Sequence, residues 1–279
     1  MARVRVITDS ACDLPEEIAR RLDVDIVSLN IRFGDEEFTD RVDLQPAEFW
    51  AKCKDAKTLP ATSAPSPGAF QTAYQRALDD GCDGVIVLTL SALLSATHQS
   101  ASVAAEAMTG RIDVRVIDTK AVSMAEGLLV IDVADAAQTG LDLDQLVAHV
   151  EQLMPRVGVV AMLDTLEHLI KGGRTGGAKA LLGQVLSIKP LLELKDGVVA
   201  EAGRQRTRAK ALAAIVDVVR AKAPLRRLAL IHGASSEVAT LEALIVGIEV
   251  EHPLVIADIG PTVGTHGGPG IIGLCWIEA

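Results

Sequence analysis

The run Val85–Leu90 (VIVLTL) constrains the fold of this chain more than any other segment. It is apolar and β-branched almost without a break, so as a strand it must be covered on both faces. Such strands belong to parallel sheets flanked by helices, and the surrounding sequence supplies them. Val4–Thr8, Ile26–Phe33 and Val114–Ile117 are further strand-like runs. Between them, helical patterns cover Asp43–Lys54, Thr97–Met108, Val122–Gln138 and Leu143–Leu153. A further helix follows Ser66, which caps it, with Pro67 at its first position. Asp13-Leu14-Pro15-Glu16 reads as a capping box, and Gly34–Glu37 as a turn.

The second half has a different grammar. Val157–Met162 is a strand, and Asp164–Glu167 reads as a second capping box, opening a short helix that stops at Gly172-Gly173. Ile188–Leu194 and Val198–Ala200 flank Lys195-Asp196-Gly197, a hairpin turn signal. A helix over Thr207–Ala223, a strand over Arg227–Ile231 and a helix over Glu237–Gly247 follow. The strands Leu254–Ile259 and Ile271–Ile277 are joined by a glycine-rich loop. The expectation is an α/β protein of two domains. Residues 1–155 would form a βα-alternating, mostly parallel sheet domain, and residues 156–279 an α+β domain with a mixed or antiparallel sheet. No linker marks the boundary near Pro155, so the two are expected to pack tightly.

Composition narrows the function classes. Apolar residues make up 49% of the 279 residues and aromatics only 3%. The core must therefore be aliphatic, and a base-stacking surface is not available. A net charge of −10 without a basic stripe argues against duplex binding. The four cysteines are far apart in sequence and have no metal-ligand spacing, which suits reduced thiols in the cytoplasm. The beginning MARVRVITDS is strand-like rather than a signal sequence. No apolar run reaches the roughly 18 residues of a membrane span.

Small polar residues gather where strands end. In TSAPSPG, Thr62 and Ser63 precede the helix cap, and either satisfy the turn or meet a ligand. Ser91 and Ser95 follow the buried strand at its carboxyl end, where α/β proteins place ligands. Ser95 with His98 would be a nucleophile and base, but the GxSxG elbow is absent. His266 lies in THGGPG, which matches neither a Walker nor a dinucleotide motif; it either donates to an anion or satisfies a loop carbonyl. Arg174 after Gly172-Gly173 is a fork for an anion, a partner contact or an ordinary exposed arginine. Arg204, Arg206, Arg208 and Lys210 open a helix against its dipole, so either an acidic group faces them or they form an ordinary solvated face.

These loops, in this order, resemble the DegV family: TDSACDLP, TSAPSPGAF, LSATHQSA, IDTKAVSMAEG, LIKGGRTGG and GTHGGPG. The likeness covers nearly the whole chain. Ala64 stands where the family often has Gln, and Ala96 where it often has Gly. The resemblance implies a two-domain carrier that holds one long-chain fatty acid, such as palmitate, stearate or oleate, in a tunnel between its domains. It implies that Thr62, Ser63, Ser95 and His266 contact the carboxylate and that Arg174 lies at the rim. It also implies a partner, the ATP-binding subunit of a fatty acid kinase, whose acyl-phosphate product feeds phospholipid synthesis. No metal, no other cofactor and no catalytic residue belongs to the carrier itself. Segments Leu163–Ile170 and Ala180–Leu192 are expected to line the tunnel. The alternative is a hydrolase or phosphotransferase using Ser95, His98 or His266 with Asp9.

Overall fold

A computed structural model describes residues 3–56, 58–177 and 188–279. In chain order its elements begin β1 (Val4–Asp9), α1 (Glu16–Arg21), β2 (Val24–Val27), β3 (Asn30–Phe33), β4 (Glu36–Thr39), α2 (Pro46–Asp55) and β5 (Ala61–Ser63). They continue with α3 (Pro67–Asp79), β6 (Gly84–Thr89), α4 (Thr97–Ala107), β7 (Asp113–Asp118), α5 (Met124–Gln138) and α6 (Leu143–Leu153). The rest are β8 (Val157–Met162), α7 (Glu167–Lys171), β9 (Lys189–Lys195), β10 (Val198–Gln205), α8 (Arg208–Arg220), β11 (Leu225–His232), α9 (Val238–Leu244), β12 (Val255–Asp258), α10 (Pro261–Gly267) and β13 (Ile272–Glu278).

The architecture is α/β. A four-stranded parallel sheet has the order β2-β1-β6-β7, and a mixed six-stranded sheet the order β10-β9-β8-β13-β11-β12. A small antiparallel sheet, β4-β3-β5, sits beside them. Every residue of β6 is buried, as its sequence demands. Val85 and Val87 face α3 and α4 with Phe70, Tyr74 and Met108, while Ile86 and Leu88 face the opposite core with α5. That division follows from the two-residue period of a strand.

Helix α5 is apolar around its whole circumference, and Met124 to Ala134 are all buried. A helix with that pattern needs cover on every side. It packs against β1 of the parallel sheet and against β11 and β13 of the mixed one. Two acidic residues lie deep in it, Glu126 and Asp132, and Asp132 is paired: Arg226 donates two hydrogen bonds at 2.9 Å and Arg227 Nε one at 2.6 Å. His149 of α6 lies 3.1 Å from the same carboxylate. Hydrogen bonds and charge from the two arginines, outweighing burial, pull Asp132 down to about 2.

Several sequence expectations are overturned. Ile26–Phe33 is two strands in two sheets, because the Leu29 N–H turns to Ser10 Oγ (3.0 Å) between them. Asp13 is not the N-cap of α1: it adopts φ 53° at the end of the 3-10 turn Ser10–Cys12, and α1 begins after Pro15. Its carboxylate is instead claimed by Ser123 and the Gly260 N–H. The second capping box also fails, because Asp164 takes Lys189 Nζ (2.7 Å) and Arg208 Nη1 (2.6 Å). That contact, with Glu237 accepting from Arg208 Nε at 2.6 Å, decides for Arg208 between the acidic partner and the solvated face. The glycine-rich connection before β13 is the helix α10, started by Pro261. The hairpin is as expected, with Asp196 and Gly197 at φ 51° and 80°.

Among the described residues, no helix is long and apolar enough to cross a membrane. Asp132→Ala should lower unfolding free energy by about 3 kcal/mol in urea titration at pH 7, since it takes the inner partner from the buried Arg227 and from the half-buried Arg226. A loss under 0.5 kcal/mol on the order of a surface pair would contradict that role.

Candidate functional site

The alternation of β8 to β10 builds the wall of a cavity of about 230 Å³. Val159, Ala161 and Leu163 from β8 and its extension, Leu192 and Leu194 from β9, and Val199 from β10 line it. Their sequence neighbours Val160, Met162 and Leu191 point the other way, into the core under α8. Leu29, Leu90, Leu94, Leu169, Ile231 and Ile271 complete an aliphatic enclosure. Of the expected lining segments, Leu163, Leu169 and Leu192 contribute, whereas Ile170 is exposed; most of Ala180–Leu192 lies outside the described residues.

Four separate segments bring the polar groups to this cavity. The short strand β5 carries Thr62 and Ser63, paired to Ile31 and Asn30 of β3. The loop after β6 brings Ser95, the segment after α7 brings Arg174, and α10 brings His266. Thr62, Ser63, Ser95, Arg174 and His266 all line the one cavity. Thr62 Oγ1 and His266 Nε2 are hydrogen-bonded at 3.0 Å. His266 Nδ1 is buried without a partner. Burial first, then the charges of Arg174 and His168, push the His266 imidazole down to about 4. It is therefore neutral at pH 7 and offers a dipole rather than a charge.

Arg174 is held away from full engagement, donating from Nε to the Leu94 carbonyl (3.2 Å) and from Nη1 to the Gly172 carbonyl (2.5 Å). Ser95 Oγ lies 2.9 Å from Thr97 Oγ1, so its hydroxyl is positioned by Thr97 rather than by His98. Asp9 does not line the cavity, and both its oxygens accept backbone N–H groups, from Ala11 and Leu90. Ser91 donates to the Gly197 carbonyl (2.7 Å), tying the loop after β6 to the hairpin. Ser66 caps α3 through the Ala69 N–H.

Three participants carry no sequence signal of their own. His168 Nδ1 donates to the Thr265 carbonyl (3.1 Å) and braces α7 against α10. Thr262 and Ser123 line the cavity, but their hydroxyls donate outward to Asp40 and to Asp13, the latter at 2.6 Å. Behind them Asp9, Asp13, Asp40 and Glu126 are fully buried. Burial raises all four, Asp9 to about 7 and Asp13 to about 6, the Arg41 charge opposing the shift of Asp13. Among the described residues, no cluster of His, Cys, Asp and Glu is arranged to hold a metal ion.

The family model described as "Uncharacterised protein, DegV family" matches residues 3–279. The chain belongs to the DegV family. A DegV domain-containing protein of Deinococcus radiodurans is 36% identical to it, over 97% of each chain. A DegV family structure from Thermus thermophilus, described as fatty acid binding, superposes with a TM-score of 0.91 at 35% identity, covering 99% of this chain and all of that one. A stearic acid-binding protein from Eubacterium ventriosum gives 0.87 at 26% identity, over 100% and 98% of the two chains. These two structures thus share the fold of this chain over nearly their full length.

Two predictions test the electrostatics. A Cβ at Gly172 would collide with His266 Nδ1. Gly172→Ala should therefore break the Thr62 contact and return the His266 titration, followed by NMR, from about 4 towards 6.5; an unmoved titration would show that the ring is not wedged there. For Asp9 and Asp13 the folded value exceeds the unfolded one. Their stabilisation is full below about 4 and is lost as pH rises through 6 to 7. His266 acts oppositely, losing stability only as pH falls from 6.5 towards 4. Between pH 8 and 6.5 the acids dominate, so the urea midpoint should rise as pH falls; a falling midpoint would mean these carboxyls stay ionised.

Proposed function

We propose that this DegV protein is a fatty-acid carrier without catalysis of its own. It holds one long-chain fatty acid, palmitate, stearate or oleate, in the aliphatic cavity with the carboxylate at Thr62, Ser63, Ser95 and His266. The observation that carries the reading is a largely aliphatic enclosure at whose β5 and α10 end hydroxyls, a neutral imidazole and Arg174 are gathered, with Glu193 as the further charged residue in its lining. The fatty-acid-binding relatives support it. In this reading the cavity lies between two domains, residues 1–155 and 156–279, in a cytoplasmic protein.

Affinity and orientation come from different parts of such a site. Each buried methylene contributes about 0.8 kcal/mol, so a sixteen-carbon tail supplies a gross term near 11 kcal/mol before association costs. The head-group hydrogen bonds add roughly 1–3 kcal/mol each. They choose which end of the chain sits at β5 and α10. Because His266 is neutral and Arg174 is occupied by two carbonyls, the carboxylate is held chiefly by dipoles. An oxygen held that way stays nucleophilic. We infer that a separate ATP-dependent kinase docks at the rim near Arg174 and phosphorylates it, and that the acyl phosphate feeds phospholipid synthesis.

Native mass spectrometry of the purified protein, with lipid extraction, tests the carrier reading. One fatty acid per chain is expected, together with no turnover of acyl esters or acyl phosphates by the protein alone. Thr62→Val and Ser95→Ala should each weaken palmitate binding by about tenfold while leaving the fold intact. An empty protein that refuses added palmitate and oleate, or an esterase activity abolished in Ser95→Ala, would overturn it.

A further inference from the structure

The lipid cavity does not end in solid core. Beyond it lies a second cavity of about 420 Å³, and Val159 and Leu194 stand in the walls of both. Residues two apart on a strand share a face. On β8 and its extension, Leu163 and Ala161 line the first cavity, Val157 lines the second, and Val159 lines both. The register of β8 against β9 pairs Ala161 with Leu192 and Val160 with Glu193, which sets Leu194 opposite Val159 one rung further on. The register of β9 against β10 sets Val199 opposite Leu194. Three aliphatic side chains therefore form a bar across the sheet where the cavities meet.

The chemistry changes across that bar. On the near side the walls next to the bar are chiefly aliphatic, Ala161, Leu192 and Val199, with Glu193 among them. On the far side they include Thr119, Lys120, Lys195 and Asp196, with both lysines exposed. A methylene moving past Val159 leaves a chiefly aliphatic wall for a mixed one, in which Ala121, Ala125, Met154 and Val157 alternate with these polar groups, and gains less from burial there. Steric closure and loss of apolar surface thus coincide at a single cross-strand pair.

We infer that Val159 and Leu194 are the chain-length stop of the lipid cavity, the methyl end of the bound tail abutting them. This inference rests on the fatty-acid reading above. Small residues at this pair join the two cavities and admit longer tails; large ones shorten the space available. Leu194 sits one residue before the turn Lys195-Asp196-Gly197, and Gly197 is tied by its carbonyl to Ser91. The stop is consequently fixed both by the sheet register and by a contact from the loop that carries Ser95.

The test uses the full chain, stripped of lipid, with saturated fatty acids from twelve to twenty-two carbons competing for it in native mass spectrometry. Val159→Ala and Leu194→Ala should raise binding of the twenty-carbon acid relative to palmitate by about tenfold, the worth of roughly two more buried methylenes. Val159→Phe should move the preference the other way, favouring the twelve- and fourteen-carbon acids over palmitate by a similar factor. The filling variant decides the matter if truncation unfolds the protein, and thermal unfolding reports which variants are folded. A length ranking untouched in every folded variant overturns this inference alone. Wild-type protein that takes up no fatty acid of any length overturns the carrier reading and this inference with it.

Discussion

The burial of α5 is the constraint on which the rest of the structure depends. A helix apolar on every side cannot end at a solvent boundary, so the sheet before it and the sheet after it must both close on it. That requirement, rather than a linker, joins the two halves of the chain. It also explains why a charge so deep as Asp132 is tolerable. Arg226 and Arg227 reach it from β11, on the opposing sheet, and turn a desolvation cost into a directional contact between the layers. With the layers fixed, the faces of β8, β9 and β10 are fixed too, and the cavity lies where those faces meet the loops of the parallel sheet.

The site is a study in withheld charge. Its histidine is neutral because it is buried beside an arginine, and its arginine is engaged by backbone carbonyls. Two of its wall hydroxyls, on Ser123 and Thr262, are turned outward to buried carboxyls. Thr62, Ser63 and Ser95 are left as the hydroxyls available to a guest, and the Thr62–His266 pair positions one of them. Such a site discriminates by geometry and by apolar area, since the Coulomb contribution is small.

Segments whose structure is decided locally were legible from sequence. Leu143–Leu153 and Val157–Met162 have the expected bounds because their periodicity and caps are self-sufficient. The Asp196-Gly197 hairpin is likewise dictated by two left-handed positions. The misreadings share one cause. Asp13 and Asp164 have the residue type and spacing of helix caps, yet distant partners (Ser123, Gly260, Lys189 and Arg208) claim their carboxylates. The glycines around His266 read as a loop, whereas α10 is held as a helix by its packing against α2 and α7. Thr62, Ser95 and His266 were recognisable as polar residues at strand ends. His168 was not, because its role comes from a contact with the Thr265 carbonyl that no local pattern announces.

The place of β13 has a consequence for biogenesis. Ile272–Glu278, made after every other element, lies in the interior of the mixed sheet, between β8 and β11. Until those residues have left the ribosome, β8 and β11 have no common neighbour and the far side of α5 stays uncovered. The helix and the first sheet are then an exposed, sticky intermediate for as long as synthesis of the second half takes. Closure joins strands separated by long stretches of chain, a slow kind of step that cannot begin before β13 has been made. Assembly of the cavity thus waits on β13, and a chain that breaks off before residue 272 lacks the strand that joins β8 to β11.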